Sequence, residues 1–333
     1  MVGASAGGVE ALRSFVAALP GSLDAAVCVV LHIPRAGTSA LPHILSRAGR
    51  LPVRHATDGC RLEAGTIYVA PPNFHVLVTD GRLRLSRGPT ENGHRPAVDP
   101  LFRSAARAWG SAVVGVVLSG SRDDGAFGLA TIVQHGGAGL VQAPDEALYP
   151  SMPLQAAELA PTARAMPVAA MGPALVQLVD AMTGREPVPL SGDAQVDAED
   201  AMAAMEDLTA ESAGGVPAGF GCPSCHGALF ELPGSHRLPR FRCRVGHAWS
   251  AVGLLEEQGE VLEGALWMAL RSLEEKAALS RRMADSASSR GSMVTAERYT
   301  DVGRDADDAG QVIRQLIEQL GSIEDKTLVT DEL

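Results

Sequence analysis

The sequence has no uninterrupted apolar run near the length of a membrane span, although 46% of its 333 residues are apolar. A membrane-embedded helix is therefore not expected, and the chain reads as soluble. Its first residues lack a basic stretch followed by an apolar one, so no secretory signal is expected and a cytoplasmic setting follows by default. Cysteine is scarce. Of five, Cys28 and Cys60 are isolated while Cys222, Cys225 and Cys243 cluster, which is not a disulfide framework. A nucleotide-binding loop is missing too, because Gly3, Gly7 and Gly8 do not match G-x-G-x-x-G and there is no phosphate-loop lysine. Positive charge is short where a nucleic-acid partner would need it. Residues 1–182 carry net +1, from 14 Arg and 13 Asp or Glu, and the remainder carries −12, giving the chain its net −11. The acidic back half argues against nucleic-acid binding and reads as a set of solvated helix faces.

The length suits two or three structural units. Residues 1–183 alternate strand and helix signals. Ala25–Ile33 is apolar up to His32, as in a strand buried on both faces, and Ala112–Leu118 is a second such run. Thr66–Ala70 reads as a strand, and Val76–Thr79 and Leu83–Leu85 form a hairpin about Asp80-Gly81. Helices are expected from Val9 to the stop at Pro20, and over 39–48, 99–109, 125–134, 154–159 and 173–182. This alternation predicts a mostly parallel α/β sheet with helices on both faces. Residues 184–216 read as a flexible acidic linker with a short helix around Ala201–Leu208.

Three residues close predicted buried strands or follow them directly: Ser5, His32 and Asp124. In an open parallel sheet such strand ends share one edge, where ligands bind. Ser5 sits in a small-residue turn that can expose its hydroxyl beside the free N–H groups of a helix. A histidine there can act as base for the serine, and an aspartate can hold the far imidazole nitrogen. Singly, each has an ordinary use as a turn serine, a core histidine or a helix N-cap. Only Met1 and Val2 precede the turn, so the strand that should feed it is nearly absent, or one short edge.

The stretch Gly3–Leu12 resembles the chemotaxis-type protein-glutamate methylesterases, the CheB family. So do Leu31-His32-Ile33-Pro34, Ala70–His75, His94–Asp99 with Leu101-Phe102, Leu118-Ser119-Gly120 with Asp123-Asp124-Gly125, and Ser151-Met152-Pro153. The resemblance covers residues 1–183 and implies a Rossmann-like catalytic domain with no receiver domain ahead of it. It implies a Ser-His-Asp triad of Ser5, His32 and Asp124, hydrolysing glutamyl methyl esters of a chemoreceptor-like protein, with glutamine deamidation in some members. Backbone N–H groups of the Ser5 turn and of the Gly120–Asp124 loop are expected to hold the oxyanion. His94 and Arg95 are expected either to line the substrate cleft or to form a solvated loop. Ser121-Arg122 stands where better-known members have Met-Gly, which puts Ser121 at the substrate, and Ala6 replaces a hydroxyl residue. No cofactor is expected for catalysis. The competing reading is a signalling adaptor with little or no turnover that uses the fold and the Cys/His module to bind chemotaxis or two-component partners.

Cys222-x2-Cys225 and Cys243-x3-His247 supply three thiolates and an imidazole, a tetrahedral set for a structural zinc. His226 and His236 are alternative fourth ligands. Ala228–Leu232 and Arg240–Cys243 read as the strands of a zinc-ribbon-like module over 217–250. It is too small to bury much core, so a metal would stabilise it. Residues 251–325 read as a helical hairpin. Its apolar stripe includes Leu254, Leu255, Val261, Leu262, Leu266, Leu270, Leu273 and Ala277 on one helix and Val302, Ala306, Val312, Ile313 and Leu316 on the other.

Overall fold

The computed structural model describes residues 1–182, 193–206, 209–234 and 239–330, with side chains to residue 320. It divides into two compact units, Met1–Leu254 and Leu255–Leu333.

The first unit is built on seven parallel strands: β1 (Val2–Ala4), β2 (Val27–Leu31), β3 (Val53–His55), β4 (Ile67–Val69), β7 (Val114–Val117), β8 (Ala138–Gln142) and β9 (Arg164–Met166). They lie in the order β3-β4-β2-β1-β7-β8-β9. Between β4 and β7 the chain forms the hairpin β5 (His75–Thr79) and β6 (Arg82–Ser86), turning at Asp80-Gly81. The helices are α1 (Gly8–Ala18), α2 (Leu41–Ser46), α3 (Val98–Trp109), α4 (Ala126–Gln134), α5 (Ser151–Leu159) and α6 (Val168–Met182). Side chains alternate across a strand, so one apolar run feeds two cores. From β2, Val27, Val29 and Leu31 join Leu12, Phe15 and Met171 on one face. Cys28 and Val30 join Val98, Phe102 and Leu129 on the other.

The strand expected to be nearly absent or one short edge has only three residues, but it is not an edge. β1 is central, paired in register with β2 and with β7. Ladders on both sides hold its three residues. This is also where the strand order reverses, so the carboxyl ends of β1, β2 and β7 open into one crevice.

Residues 184–216, expected as a flexible linker, are in part ordered against the sheet unit. Residues 183–192, 207 and 208 lie outside the described residues, including the predicted helix end at Leu208. Helix α7 (Ala194–Ala203) is capped by Asp193, which accepts from the Gln195 and Val196 amides. The Ala203 carbonyl accepts from Ser86 Oγ, and Arg107 pairs with Asp197 at 2.9 Å. Glu199 and Asp200 are buried rather than solvated.

The expected two-stranded ribbon is a four-stranded antiparallel sheet: β10 (Val216–Gly221), β11 (Ala228–Glu231), β12 (Arg240–Cys243) and β13 (Ala248–Ser250). Cys222, Leu229, Phe241, Cys243, Trp249 and Leu254 form its small core.

The second unit contains most of α8 (Ala251–Ser289) and α9 (Met293–Thr330). Its seam is largely of small residues, with Ala277, Ala284, Ala287, Ala296 and Ala306 buried along with Leu270. Arg281 pairs with Asp307 at 2.7 Å across it. Much of the expected apolar stripe is exposed: Leu255, Val261, Leu262, Val312 and Leu316. Among the described residues, no helix is long and apolar enough to cross a membrane.

Candidate active site

Ser5 follows β1 directly, in a turn whose shape depends on glycine. Gly7 adopts φ 68°, the left-handed region that L side chains avoid, and caps the N-terminus of α1. Across the crevice, a Cβ on Gly120 would come within 2.0 Å of Met152 Sδ and 2.9 Å of Ser5 Cβ. Only glycine allows the β7 loop to pass this close to the serine. Ser119 ties the loops together, its hydroxyl donating to the Ala6 carbonyl at 2.8 Å and accepting from the Tyr149 amide at 3.0 Å.

His32 Nδ1 lies 3.0 Å from Ser5 Oγ, and His32 Nε2 lies 2.6 Å from Asp124 Oδ2. An ionised carboxylate only accepts, so Nε2 carries the donated proton and Nδ1 is left to accept from the serine hydroxyl. Asp124 also accepts from the Val98 amide at 2.7 Å and the Asp99 amide at 3.0 Å, at the start of α3. Burial works against its charge, but the His32 bond and these two amides outweigh it and hold the carboxyl below its ordinary value.

The relay opens into a cleft of about 560 Å³ lined by Ser5, His32, Arg35, His94 and Arg95 among others. His94 stacks on His32, with centroids 3.7 Å apart and planes 13° off parallel. Burial, then the neighbouring His32, pushes His94 down to about 3, so it stays neutral. Arg95 lines the cleft while anchored, donating to Asn73 Oδ1 at 2.7 and 3.0 Å and to the Arg87 and Gly88 carbonyls. His75 braces the same loop. Its Nε2 donates to the Pro89 carbonyl at 2.8 Å, and burial lowers it to about 4. Ser121 is exposed and is not among the residues lining the cleft. Two of the expected oxyanion donors are engaged elsewhere. The Ser5 amide donates to the Ser119 carbonyl and the Gly120 amide to the Tyr149 carbonyl, both at 3.0 Å.

The family model described as CheB methylesterase matches residues 1–175. The chain belongs to the CheB methylesterase family. It is 39% identical over 182 residues to a protein-glutamate methylesterase/protein-glutamine glutaminase of Anaeromyxobacter dehalogenans, covering 54% of this chain and 50% of that one. It is 34% identical over 180 residues to the protein-glutamate methylesterase FrzG of Myxococcus xanthus, covering 54% of each. The chain thus spans about half the length of these curated relatives. Among solved structures, the crystal structure of the Thermotoga maritima CheB methylesterase catalytic domain aligns with a TM-score of 0.51 at 29% identity, over 54% of this chain and 96% of that one. The Cys/His module lies beyond the stretch that the CheB model matches.

In that module Cys222, Cys225, Cys243 and His247 bring their ligand atoms within 4.8 Å of one another, a cluster able to hold a metal. The Cys225–Cys243 Sγ separation is 3.6 Å, and His247 Nδ1 is 3.5 Å from Cys243 Sγ and 3.8 Å from Cys222 Sγ. A tetrahedron with Zn–S of about 2.3 Å has S···S edges of about 3.8 Å, close to the Cys225–Cys243 separation, so the donor set is compatible with zinc. Of the alternative fourth ligands, His226 is not in the cluster and His236 lies outside the described residues.

A second buried polar cluster had no counterpart in the sequence expectations. Arg103 forks onto Glu91 at 2.8 and 2.9 Å. Arg242 reaches Glu91 at 2.6 Å and Glu199 at 2.8 Å. Arg240 reaches Glu199 at 2.9 Å and Asp99 at 3.0 Å, with its guanidinium 4.3 Å from the Phe127 ring centre. The visible signal was Arg-x-Arg on β12, which puts both guanidinium groups on one face of a strand. Burial pushes Asp99 and Asp200 up to about 7, against the pull of Arg240 and Arg103 respectively. Glu91 is held well below its ordinary value because Arg103 and Arg242 overcome the cost of burial.

Proposed function

We propose that the chain is a serine hydrolase that removes methyl esters from glutamyl side chains of a chemoreceptor-like signalling protein. The observation that carries this reading is the unbroken relay from Ser5 Oγ through His32 to Asp124, with distances of 3.0 and 2.6 Å, at the mouth of the cleft. The family membership and the names of its relatives support the ester substrate.

In this reading His32 Nδ1 takes the Ser5 proton as Oγ attacks the ester carbonyl. Asp124 holds the imidazole tautomer and stabilises the imidazolium. With the Ser5 and Gly120 amides engaged, the oxyanion is left to other amides of the Ser5 turn and of the Gly120–Asp124 loop. His32 returns the proton to the leaving methoxide, which departs as methanol. Water, deprotonated by His32, then cleaves the acyl-enzyme to leave a glutamate carboxylate and regenerate Ser5. A glutamine side chain would follow the same path and release ammonia. His94 shields one face of His32, and Arg95 offers a fixed cation to an acidic receptor segment. Residues 1–183 act as the catalytic domain, and 217–250 as a zinc module closed by four protein ligands and so structural.

The test is methanol release from a methylated receptor fragment. The full chain should release it and Ser5→Ala should not. A folded wild-type chain that releases none would instead favour the adaptor reading.

A further inference from the structure

The Cys/His module touches the site loops at three places, each next to a site residue. First, Arg240 on β12 donates to Asp99 Oδ2 at 3.0 Å. Asp99 in turn uses its other oxygen to hold the Gly125 and Gly128 amides at 3.0 and 2.8 Å, while its own amide donates to Asp124. Second, Ser250 at the end of β13 donates from Oγ to Asp123 Oδ1 at 2.7 Å, one residue before Asp124. The same hydroxyl accepts from the Gly253 amide at 2.9 Å, which fixes it at the start of α8. Third, β13 is stitched to the loop that carries His94. The Asn92 amide donates to the Ala248 carbonyl at 2.8 Å, the Ala248 amide to the Thr90 carbonyl at 3.0 Å, and the Ser250 amide to Asn92 Oδ1 at 2.8 Å.

The ligand set lies on the same strands. Cys243 ends β12, and His247 directly precedes β13. The turn between them is closed by the Cys243 amide donating to the His247 carbonyl and by Arg242 donating to the Gly246 carbonyl. Whatever fixes Cys243 against His247 therefore fixes the spacing between Arg240 and Ser250.

We infer that the Cys/His module is a positioning element of the active site, with Arg240 and Ser250 holding the Asp124 loop and metal ligation at Cys243 and His247 setting the strands that carry them. This rests on the reading of Ser5, His32 and Asp124 as the triad. Neither residue is among those lining the cleft, and their effect on chemistry passes through Asp123, Asp99 and Asp124. Misplacing a catalytic group by an ångström can cost on the order of 100-fold in rate.

The experiment uses the full chain and the variants Ser250→Ala, Ser250→Thr, Arg240→Met and Cys225→Ser, together with wild type stripped of metal by a chelator. Three quantities are read: the rate at which a fluorophosphonate labels Ser5, the far-downfield proton resonance of the His32–Asp124 bond, and the thermal transition. Ser250→Ala and Cys225→Ser should remain folded, label Ser5 roughly 10- to 100-fold more slowly, and shift or broaden the resonance. Ser250→Thr, which keeps the hydroxyl, should restore both signals. Adding zinc alone should restore them in the stripped chain. Folded variants that label at the wild-type rate with an unchanged resonance overturn the inference and leave the hydrolase reading intact. If wild type itself fails to label, the hydrolase reading falls. The resonance then decides alone, its loss in Ser250→Ala supporting the positioning role and its retention overturning it. Variants and stripped protein that all lose the folded state assign the module to stability and likewise overturn a positioning role.

Discussion

Two buried polar clusters lie side by side in the first unit, built on opposite plans. The relay at the carboxyl ends of the central strands concentrates on one acid. Asp124 accepts from His32, Val98 and Asp99, and its environment keeps it ionised. The neighbouring seam shares its charges, with Glu91 and Glu199 each paired to more than one of Arg103, Arg240 and Arg242. There the acids outnumber the guanidinium groups, and the surplus falls on Asp99 and Asp200. One cluster opens onto the cleft, whereas the other packs β12 against α3 and α7. Asp99 belongs to both.

The sharpest way to break this comparison is at the relay. Asp124→Asn should leave the fold in place and lower kcat for ester hydrolysis on the order of 10⁴-fold, because the imidazole is then held in the wrong tautomer. A loss of stability with little loss of kcat per folded molecule would move Asp124 into the structural class.

Next comes the seam. Arg240→Met leaves Glu199 and Asp99 short of a buried partner and should cost about 3–5 kcal/mol in chemical denaturation. Replacing the whole buried set with apolar residues of similar volume should cost far less, because a complete pair repays its desolvation only in part. A cost for Arg240→Met within experimental error would mean the charges are not shared as described.

A smaller effect separates the seam acids from one another. Burial pushes Asp200 up to about 7 from an ordinary 3.8, and its Oδ2 has no hydrogen-bond partner among the described residues. Between those pH values the folded chain holds a proton that the unfolded chain has released. The contribution of Asp200 is therefore intact below about pH 4 and declines as pH rises to about 7. Asp200→Asn has no proton to lose, so its stability relative to wild type should rise across that window, by at most about 1.4 kcal/mol per pH unit. Paired denaturation curves at several pH values read the difference directly, and a flat difference contradicts it.

The smallest effect is expected in the second unit. The Arg281–Asp307 pair is more than half exposed on the arginine side, and Arg281→Ala should not measurably move Tm.

These contrasts track what the sequence made visible. Apolar runs such as Val27–Leu31 announce a strand buried on both faces, and Ser5, His32 and Asp124 stand out at strand ends. The same patterns hid other parts. Val53–His55 is a three-residue edge strand with exposed and half-buried positions, too short for a period to show. Val2–Ala4 is equally short, yet central and paired on two sides. Glu199 and Asp200 look like a solvated helix face until their partners Arg103, Arg240 and Arg242 are seen, and no local pattern links residues so far apart. In the hairpin, helical periodicity marked Leu270, Ala277 and Ala306, which are buried, together with Leu255, Val261 and Leu262, which are exposed.

The central claim is that Ser5, His32 and Asp124 act together as one nucleophilic relay, and site-mapped fluorophosphonate labelling tests it most directly. The full chain should be modified at Ser5 alone, with labelling abolished in Ser5→Ala and lost in His32→Ala. Labelling that persists in folded His32→Ala at the wild-type rate, or that maps to another residue, would contradict it.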